Sequence, residues 1–250
     1  MWLSRFVFDK ALELRFGYPR DAALLVMGPA SRELLSCLSE ADLSTAAAPW
    51  MSAAEITVAG EAVTALRVSY VGELGWELHL ASSGLAALYQ AICEAGAGLG
   101  LVDFGSYALG AMRLEKGYHA WGADFGSEYS LFDAGLEGFV KLDKPDFIGR
   151  AAVLRQHEIP SAWRFAGFVV EGGDADPLPS DPIFQSGRLV GYVTSGGTGF
   201  RLGKRLALGY LERAKADPAG DFEIEILGER RRADLSPTPF YDPQNARVRG

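Results

Sequence analysis

Histidine and cysteine are scarce in this chain of 250 residues, which has three of the first and two of the second. No CxxC or HExxH spacing occurs, so metal-centred chemistry has no ligand set to start from and no metal site is expected. Long apolar runs are also missing, and nothing in the sequence is long enough to span a bilayer as a helix. Basic residues are outnumbered, 24 against 32 acidic, for a net charge of −8. That balance argues against a general nucleic-acid surface. The first residues, MWLSRFVFDKALELRF, are amphipathic, but Arg5, Asp9, Lys10 and Glu13 interrupt any signal-peptide core. Cys37 and Cys93 sit in apolar, helix-like contexts. Buried free thiols in a reducing compartment, the cytoplasm or an organelle matrix, are the expectation, with a disulfide between them as the alternative.

Glycine fingerprints for nucleotides fail as well. In Ser195–Lys204 the threonine Thr198 stands where a phosphate loop needs its first glycine, and Arg205 replaces the required Ser/Thr. Gly96–Gly100 does not complete GxGxxG. No FAD or NAD site is expected, and Gly196–Gly203 reads as a glycine-rich bend. His79, His119 and His157 have no GxSxG or cysteine partner, so no nucleophilic triad is suggested and no catalytic residue is assigned.

What is present is ordinary apolar content at a length that calls for two or three folding units. Residues 1–18 read as a helix. Ala22–Met27 reads as a strand, Ala30–Leu38 as a helix, and Glu55–Val58 and Val63–Val68 as strands joined at Gly60. A strand at Glu77–Leu80 and a helix at Gly84–Glu94 follow. The order β-α-β-β-β-α predicts an α+β layer, an antiparallel sheet with helices on one face. Phe104–Lys116 reads as a helix, 117–146 as a long loop, and the stretch to His157 as another helix. After Pro160 come short β runs at Phe165–Val170, Ile183–Gln185, Leu189–Ser195, Leu206–Leu211 and Phe222–Leu227. They predict a small all-β barrel. The expected division is an α+β domain over 1–100, a connecting region over 101–160 and a barrel domain over 161–250.

The chain is organised around Val68–Leu80, VSYVGELGWELHL. A strand over Ala65–Tyr70 and the one at Glu77–Leu80 flank a Gly72/Gly75 turn that concentrates Tyr70, Glu73, Trp76 and Glu77. An ionised carboxylate is acceptor-only and matches a ligand with two adjacent N–H donors, such as a guanidinium or the amino-pyrimidinone edge of a pterin. The alternative is a hairpin turn with solvated acids. Further on, Arg113 and Glu115 are two positions apart on one helix and must serve different neighbours. Either both are surface charges, or one points inward to a carboxylate. His119 and Trp121 follow that helix and are candidates to line a pocket.

Five strings in order carry a resemblance: SYVGELGWELHL, MRLEKGYHAWGADF, GLEGFVKLDKPDFIGRAAVLRQ, VGYVTSGGTGFRLGKRLALGYL and PFYDPQNARVRG. Together they resemble the aminomethyltransferase family. Its members include the glycine-cleavage T-protein and the C-terminal, folate-binding half of dimethylglycine and sarcosine dehydrogenases. LEKGYHAWG and VTSGG are closer to the dehydrogenase form. The resemblance implies two α/β domains and a C-terminal barrel around a folate pocket. It also implies tetrahydrofolate as the acceptor of a one-carbon unit from a small amine-derived donor. Tyr70, Gly72, Glu73, Gly75 and Glu77 match the family's Tyr-x-Gly-Glu-x-Gly-x-Glu motif. Glu77 thereby inherits the grip on the pterin and Tyr70 the pocket wall, with Glu73, Arg113 and Trp121 completing the folate-binding set. Glu73, at the turn, is expected nearer to solvent than Glu77.

The family's catalytic aspartate lies in an N-terminal half that precedes the matched stretch. A separate chain or an FAD-containing subunit is therefore an implied partner, and the chain alone is expected to show no one-carbon transferase activity. Only if it turned over would Asp124 and Asp133 be the first places to look for a proton-handling group. Two positions depart from glycine-cleavage members, with Leu109 where they carry arginine and Asn245 where they carry tyrosine. The other function class is a catalytically incomplete paralogue serving as a subunit or interaction module.

Overall fold

A computed structural model describes residues 21–159 and 161–250, so the helix expected over 1–18 lies outside the described residues. The chain forms two compact units. Of the described residues, the first holds 21–26, 30–67 and 76–101, and the second holds 27–29, 68–75 and those from 102 to 250.

The first unit is built from β1 (Asp21–Met27), α1 (Ser31–Ser36), β2 (Ala53–Val58), β3 (Glu61–Leu66), β4 (Gly75–Ala81) and α2 (Leu85–Gly96). The strands lie in the order β1-β4-β3-β2, with β2–β3 and β3–β4 antiparallel. Ala59 and Gly60 both take positive φ, the two-residue turn whose twist matches a hairpin. Alternation divides the sheet. Val63, Ala65, Trp76, Leu78 and Leu80 are buried, as are Leu34 and Leu35 of α1 and Leu88 and Ile92 of α2. The opposite set is polar, and on β4 it contains Glu77 and His79. The strand expected over Ala65–Tyr70 ends at Leu66. Beyond Val68 the backbone turns back on itself, and the Ser69 hydroxyl accepts the amide of Val71 instead of a ladder bond forming. Cys37 and Cys93 are free. Cys37 corrects the expectation of burial: α1 is only two turns long, and the residue just past its end is exposed.

In the second unit α3 (Ser106–Glu115) leads into a long segment with one 3-10 turn, Glu137–Phe139, and then α4 (Arg150–Glu158). Six strands follow: β5 (Trp163–Val170), β6 (Pro182–Gln185), β7 (Arg188–Gly199), β8 (Lys204–Glu212), β9 (Phe222–Ile226) and β10 (Glu229–Ser236). They close into an antiparallel barrel in the order β10-β5-β8-β7-β6-β9. Phe168, Ile183, Val193, Phe222, Ile224 and Ile226 fill it. A short helix α5 (Ala246–Arg249) ends the chain as described. The long segment is pinned to the barrel. Asp133 accepts the amide of Phe165 on its carbonyl (2.9 Å) and that of Trp163 on its carboxylate (3.0 Å).

The barrel corrects one expectation and adds a strand that none of the expected runs covered. Gly196–Gly199 is strand, paired with β8 as far as Gly199 opposite Lys204, and only Phe200–Gly203 bends. The sequence ERRRADLS, which carries no apolar alternation, is nevertheless the closing strand β10. Its arginines face the acids of β9, Arg230 opposite Glu225 and Arg232 opposite Glu223. Arg230 also lies over the Phe184 ring at 3.8 Å.

Candidate functional site

The motif built on Tyr70 is divided between the two units. Tyr70–Gly75 belongs to the second and Glu77 to the first. Within the second unit the stretch 68–75 is an ordered turn. The Leu74 carbonyl accepts the amide of Gly28 (2.7 Å). Gly72 takes φ +75°, and a Cβ there would stand 3.1 Å from Cδ of Lys116, so both conformation and space call for glycine. The Tyr70 hydroxyl donates to the His119 carbonyl (2.7 Å), and its ring stacks near that of Tyr118 (5.9 Å between centroids). Burial pushes the Tyr70 phenol above its ordinary pKa, so it stays a donor at neutral pH.

Glu73 does not face solvent as expected; its side chain is 13% exposed. Oε1 accepts the Tyr241 hydroxyl at 2.5 Å and Nη1 of Arg201 at 3.3 Å, and Oε2 lies 3.5 Å from Nη1 of Arg247. The C-terminal segment 237–250, absent from any local reading of the turn, supplies two of those three partners.

Arg113 and Glu115 diverge from α3. Arg113 donates to Asp124 (2.6 Å), Ser195 (2.7 Å) and the Tyr118 carbonyl (3.1 Å). Asp124 is fully buried and saturated, for it also accepts from the Ala120 amide (2.8 Å) and the Thr194 hydroxyl (2.6 Å). The carboxylate singled out as a candidate proton carrier thus spends its lone pairs fixing the 118–124 loop to the barrel. Glu115, buried, accepts the backbone amides of Arg201 (2.7 Å) and Leu202 (3.2 Å) and the Nε of Arg201.

Trp121 is 75% exposed and meets the Phe125 ring edge-on at 5.0 Å. His119 is stacked on Phe165 at 4.0 Å, and burial lowers its pKa, keeping the imidazole neutral. In the first unit Glu77 is half-buried on the polar face of β4, with Oε2 3.3 Å from His79 Nε2. Its Oε1 has no hydrogen bond among the described residues. Leu109 is half-buried, and Asn245 takes the left-handed conformation that starts α5. Arrangement thus brings Tyr70, Glu73 and Arg113 into the hydrogen-bonded fabric of the second unit, while Trp121 and Glu77 keep free surface. Sequence reasoning missed Arg201, Tyr241, Thr194 and Ser195. The last two lie in the VTSGG string, which was a signal without a role attached.

Residues 2–144 match the GCVT N-terminal domain, and residues 164–242 match the glycine cleavage T-protein C-terminal barrel domain. The chain belongs to the glycine cleavage T-protein family. It is 37% identical to mitochondrial dimethylglycine dehydrogenase of Mus musculus over 99% of its own length and 29% of that protein. To mitochondrial sarcosine dehydrogenase of Homo sapiens it is 35% identical, over 90% of this chain and 25% of the relative. Aminomethyltransferase of Halothermothrix orenii is 33% identical over 88% of this chain and 60% of the enzyme. The fold matches the crystal structure of glycine cleavage system aminomethyltransferase T from Bartonella henselae with a TM-score of 0.77 at 23% identity, covering 89% of this chain and 60% of that one.

The chain therefore spans less than a third of the dehydrogenases it matches and about three fifths of the aminomethyltransferases. Within the T-protein family fold, the glycine-cleavage barrel match covers the six strands except Trp163 and reaches the Glu73 partner Tyr241. Among the described residues no helix is long and apolar enough to cross a membrane.

Proposed function

We propose that this chain is a tetrahydrofolate-binding, aminomethyltransferase-like protein of one-carbon metabolism, resembling the folate-dependent part of dimethylglycine and sarcosine dehydrogenases. The observation that carries this reading is Glu77. It offers a half-buried carboxylate, with one oxygen held beside His79 and the other without a hydrogen bond among the described residues, on the last residue of the family motif. That oxygen fits an N–H donor of a pterin edge. Taken by itself, the second unit offers flat aromatic faces in Tyr70, fixed through its hydroxyl, and in the exposed Trp121 ring. In that same unit the polar atoms of Glu73 and Arg113 are committed to Tyr241, Arg201, Asp124 and Ser195.

When bound, tetrahydrofolate supplies the nitrogen nucleophile that accepts a one-carbon unit from a small amine-derived donor. This chain's residues bind and orient it and assign no catalytic group of their own. The proton-handling carboxylate then belongs to a further polypeptide segment or a separate chain, and an FAD-containing dehydrogenase part is the fitting source of the donor. Unpaired cysteines support a reducing compartment such as the cytoplasm.

Titration with 5-formyltetrahydrofolate tests the reading. Wild type binds, and Glu77→Gln loses about 1.5–3 kcal/mol of binding free energy, the value of a hydrogen bond to a charged group, with an unchanged melting temperature. Absence of binding by the wild type hands the function to the interaction-module alternative. Binding indifferent to Glu77→Gln keeps the family reading and removes Glu77 from it.

A further inference from the structure

One side chain holds the second unit's turn from four directions. Arg201 sits in the bend between β7 and β8, and its guanidinium reaches back to segments 86 to 130 residues away. Nε binds the Glu115 carboxylate, and Nη1 lies 3.3 Å from Glu73. Nη2 donates to the Val71 carbonyl at 3.0 Å and to the Met112 carbonyl at 3.1 Å. The guanidinium carbon stands 3.9 Å from the centroid of the Tyr241 ring, whose hydroxyl closes on Glu73. Its backbone is fixed too, since the Arg201 and Leu202 amides both donate to Glu115. One buried and one partly buried carboxylate, a strand-to-strand bend, the last turn of α3 and the C-terminal segment thus converge on one planar cation.

We propose that Arg201 is a positioning residue that sets the conformation of the Tyr70–Glu73 turn. The inference rests on the reading of that turn as folate-facing, and it extends the reading to a residue that touches no ligand. The Val71 carbonyl and the Glu73 carboxylate flank Gly72, whose positive φ leaves the turn with few restraints of its own. Fixing the atoms on both sides of Gly72 leaves the Tyr70 ring and its hydroxyl bond to His119 in one arrangement. Only a rigid fork can serve two carbonyls and two carboxylates at once. A lysine would keep the charge but bring a single ammonium on a flexible stem.

The experiment compares wild type, Arg201→Lys and Arg201→Ala in the full chain, by native-state amide hydrogen exchange and by titration with 5-formyltetrahydrofolate. In Arg201→Ala the amides of 68–75 exchange at least roughly tenfold faster, while barrel amides of β5 and β8 keep their protection. Folate affinity falls about tenfold or more, and Arg201→Lys recovers little of either. Unchanged exchange at 68–75 overturns the proposal. So does loss of protection across the whole barrel, which would make Arg201 a general stabiliser. Should wild type bind no folate, the folate reading fails, and the exchange comparison still decides whether Arg201 orders the turn.

Discussion

The ammonium of Lys116 is held by Asp242 twice over, 2.6 Å from its carbonyl oxygen and 3.2 Å from its carboxylate. The lysine side chain is wholly buried at the end of α3, and the aspartate is 6% exposed. A buried ion pair of this kind adds little over a well-packed apolar pair, but losing one partner strands the other. Asp242 also receives the amides of Ala246 and Arg247, so the C-terminal helix hangs from the same carboxylate.

Lys116→Met is therefore expected to destabilise the protein by about 3–5 kcal/mol in chemical denaturation. It should also make 237–250 the first site of limited proteolysis. Burial works to raise the Asp242 pKa, but the bond and charge of Lys116 and the two amides outweigh it, and the folded value is lowered. The sign follows. This contribution is in full force above the unfolded carboxylate value and disappears as pH falls through the lowered folded one. Wild type should lose stability between about pH 4 and the lowered value more steeply than Lys116→Met. Parallel acid limbs in the two proteins would contradict that.

Asp124 makes a second, sharper case. Its carboxylate is fully buried against Arg113, Thr194 and the Ala120 amide. Asp124→Ala leaves a guanidinium without its anion in a site that is 13% exposed at the arginine, and about 3–5 kcal/mol of stability should go with it. Thermal and urea unfolding measure this. A near-neutral effect would mean that water replaces the carboxylate and that the 118–124 loop stands without it.

His119 carries the third prediction. Burial lowers its pKa, outweighing the bond to the Ala134 carbonyl and the pull of Asp124. A base with a lowered folded pKa is neutral in the fold and charged in the unfolded chain just below the ordinary histidine value. Stability is then lost as pH falls from about 6.5 toward the folded value, and is level below both. In His119→Phe, which keeps the stack on Phe165, the melting temperature should fall less than in wild type from pH 7 to pH 5. Identical slopes would remove the histidine from the account.

Local signals in the sequence reached most of the fold. The β-α-β-β-β-α order of the first unit stands as read, because its strands are short apolar or alternating runs bounded by turn residues and its helices carry apolar stripes. The closing strand β10 was illegible, since its only code is the pairing of arginines with the acids of β9 across a Leu227–Gly228 turn. Both turn residues have positive φ, and only the glycine announces it. Divergence of Arg113 and Glu115 was legible from helix geometry. Their partners were not, because Asp124, Ser195 and Arg201 are brought to α3 by tertiary contacts spanning 11 to 86 positions. Glu73 shows the cost of a local view. A carboxylate in a glycine-rich turn reads as solvated, and Tyr241, 168 residues later, buries it.

Closure of the barrel has a consequence for how the chain is made. The ring joins β5 to β10, so its last seam is between Gly167 and Ser236. No ring exists on the ribosome until β10 has left the exit tunnel. Until then β5 and β9 each present a row of unpaired amides and carbonyls to whatever strand comes by. A nascent chain halted before Glu229 would keep both seams open indefinitely. Premature termination there should therefore yield aggregates, not a smaller folded protein.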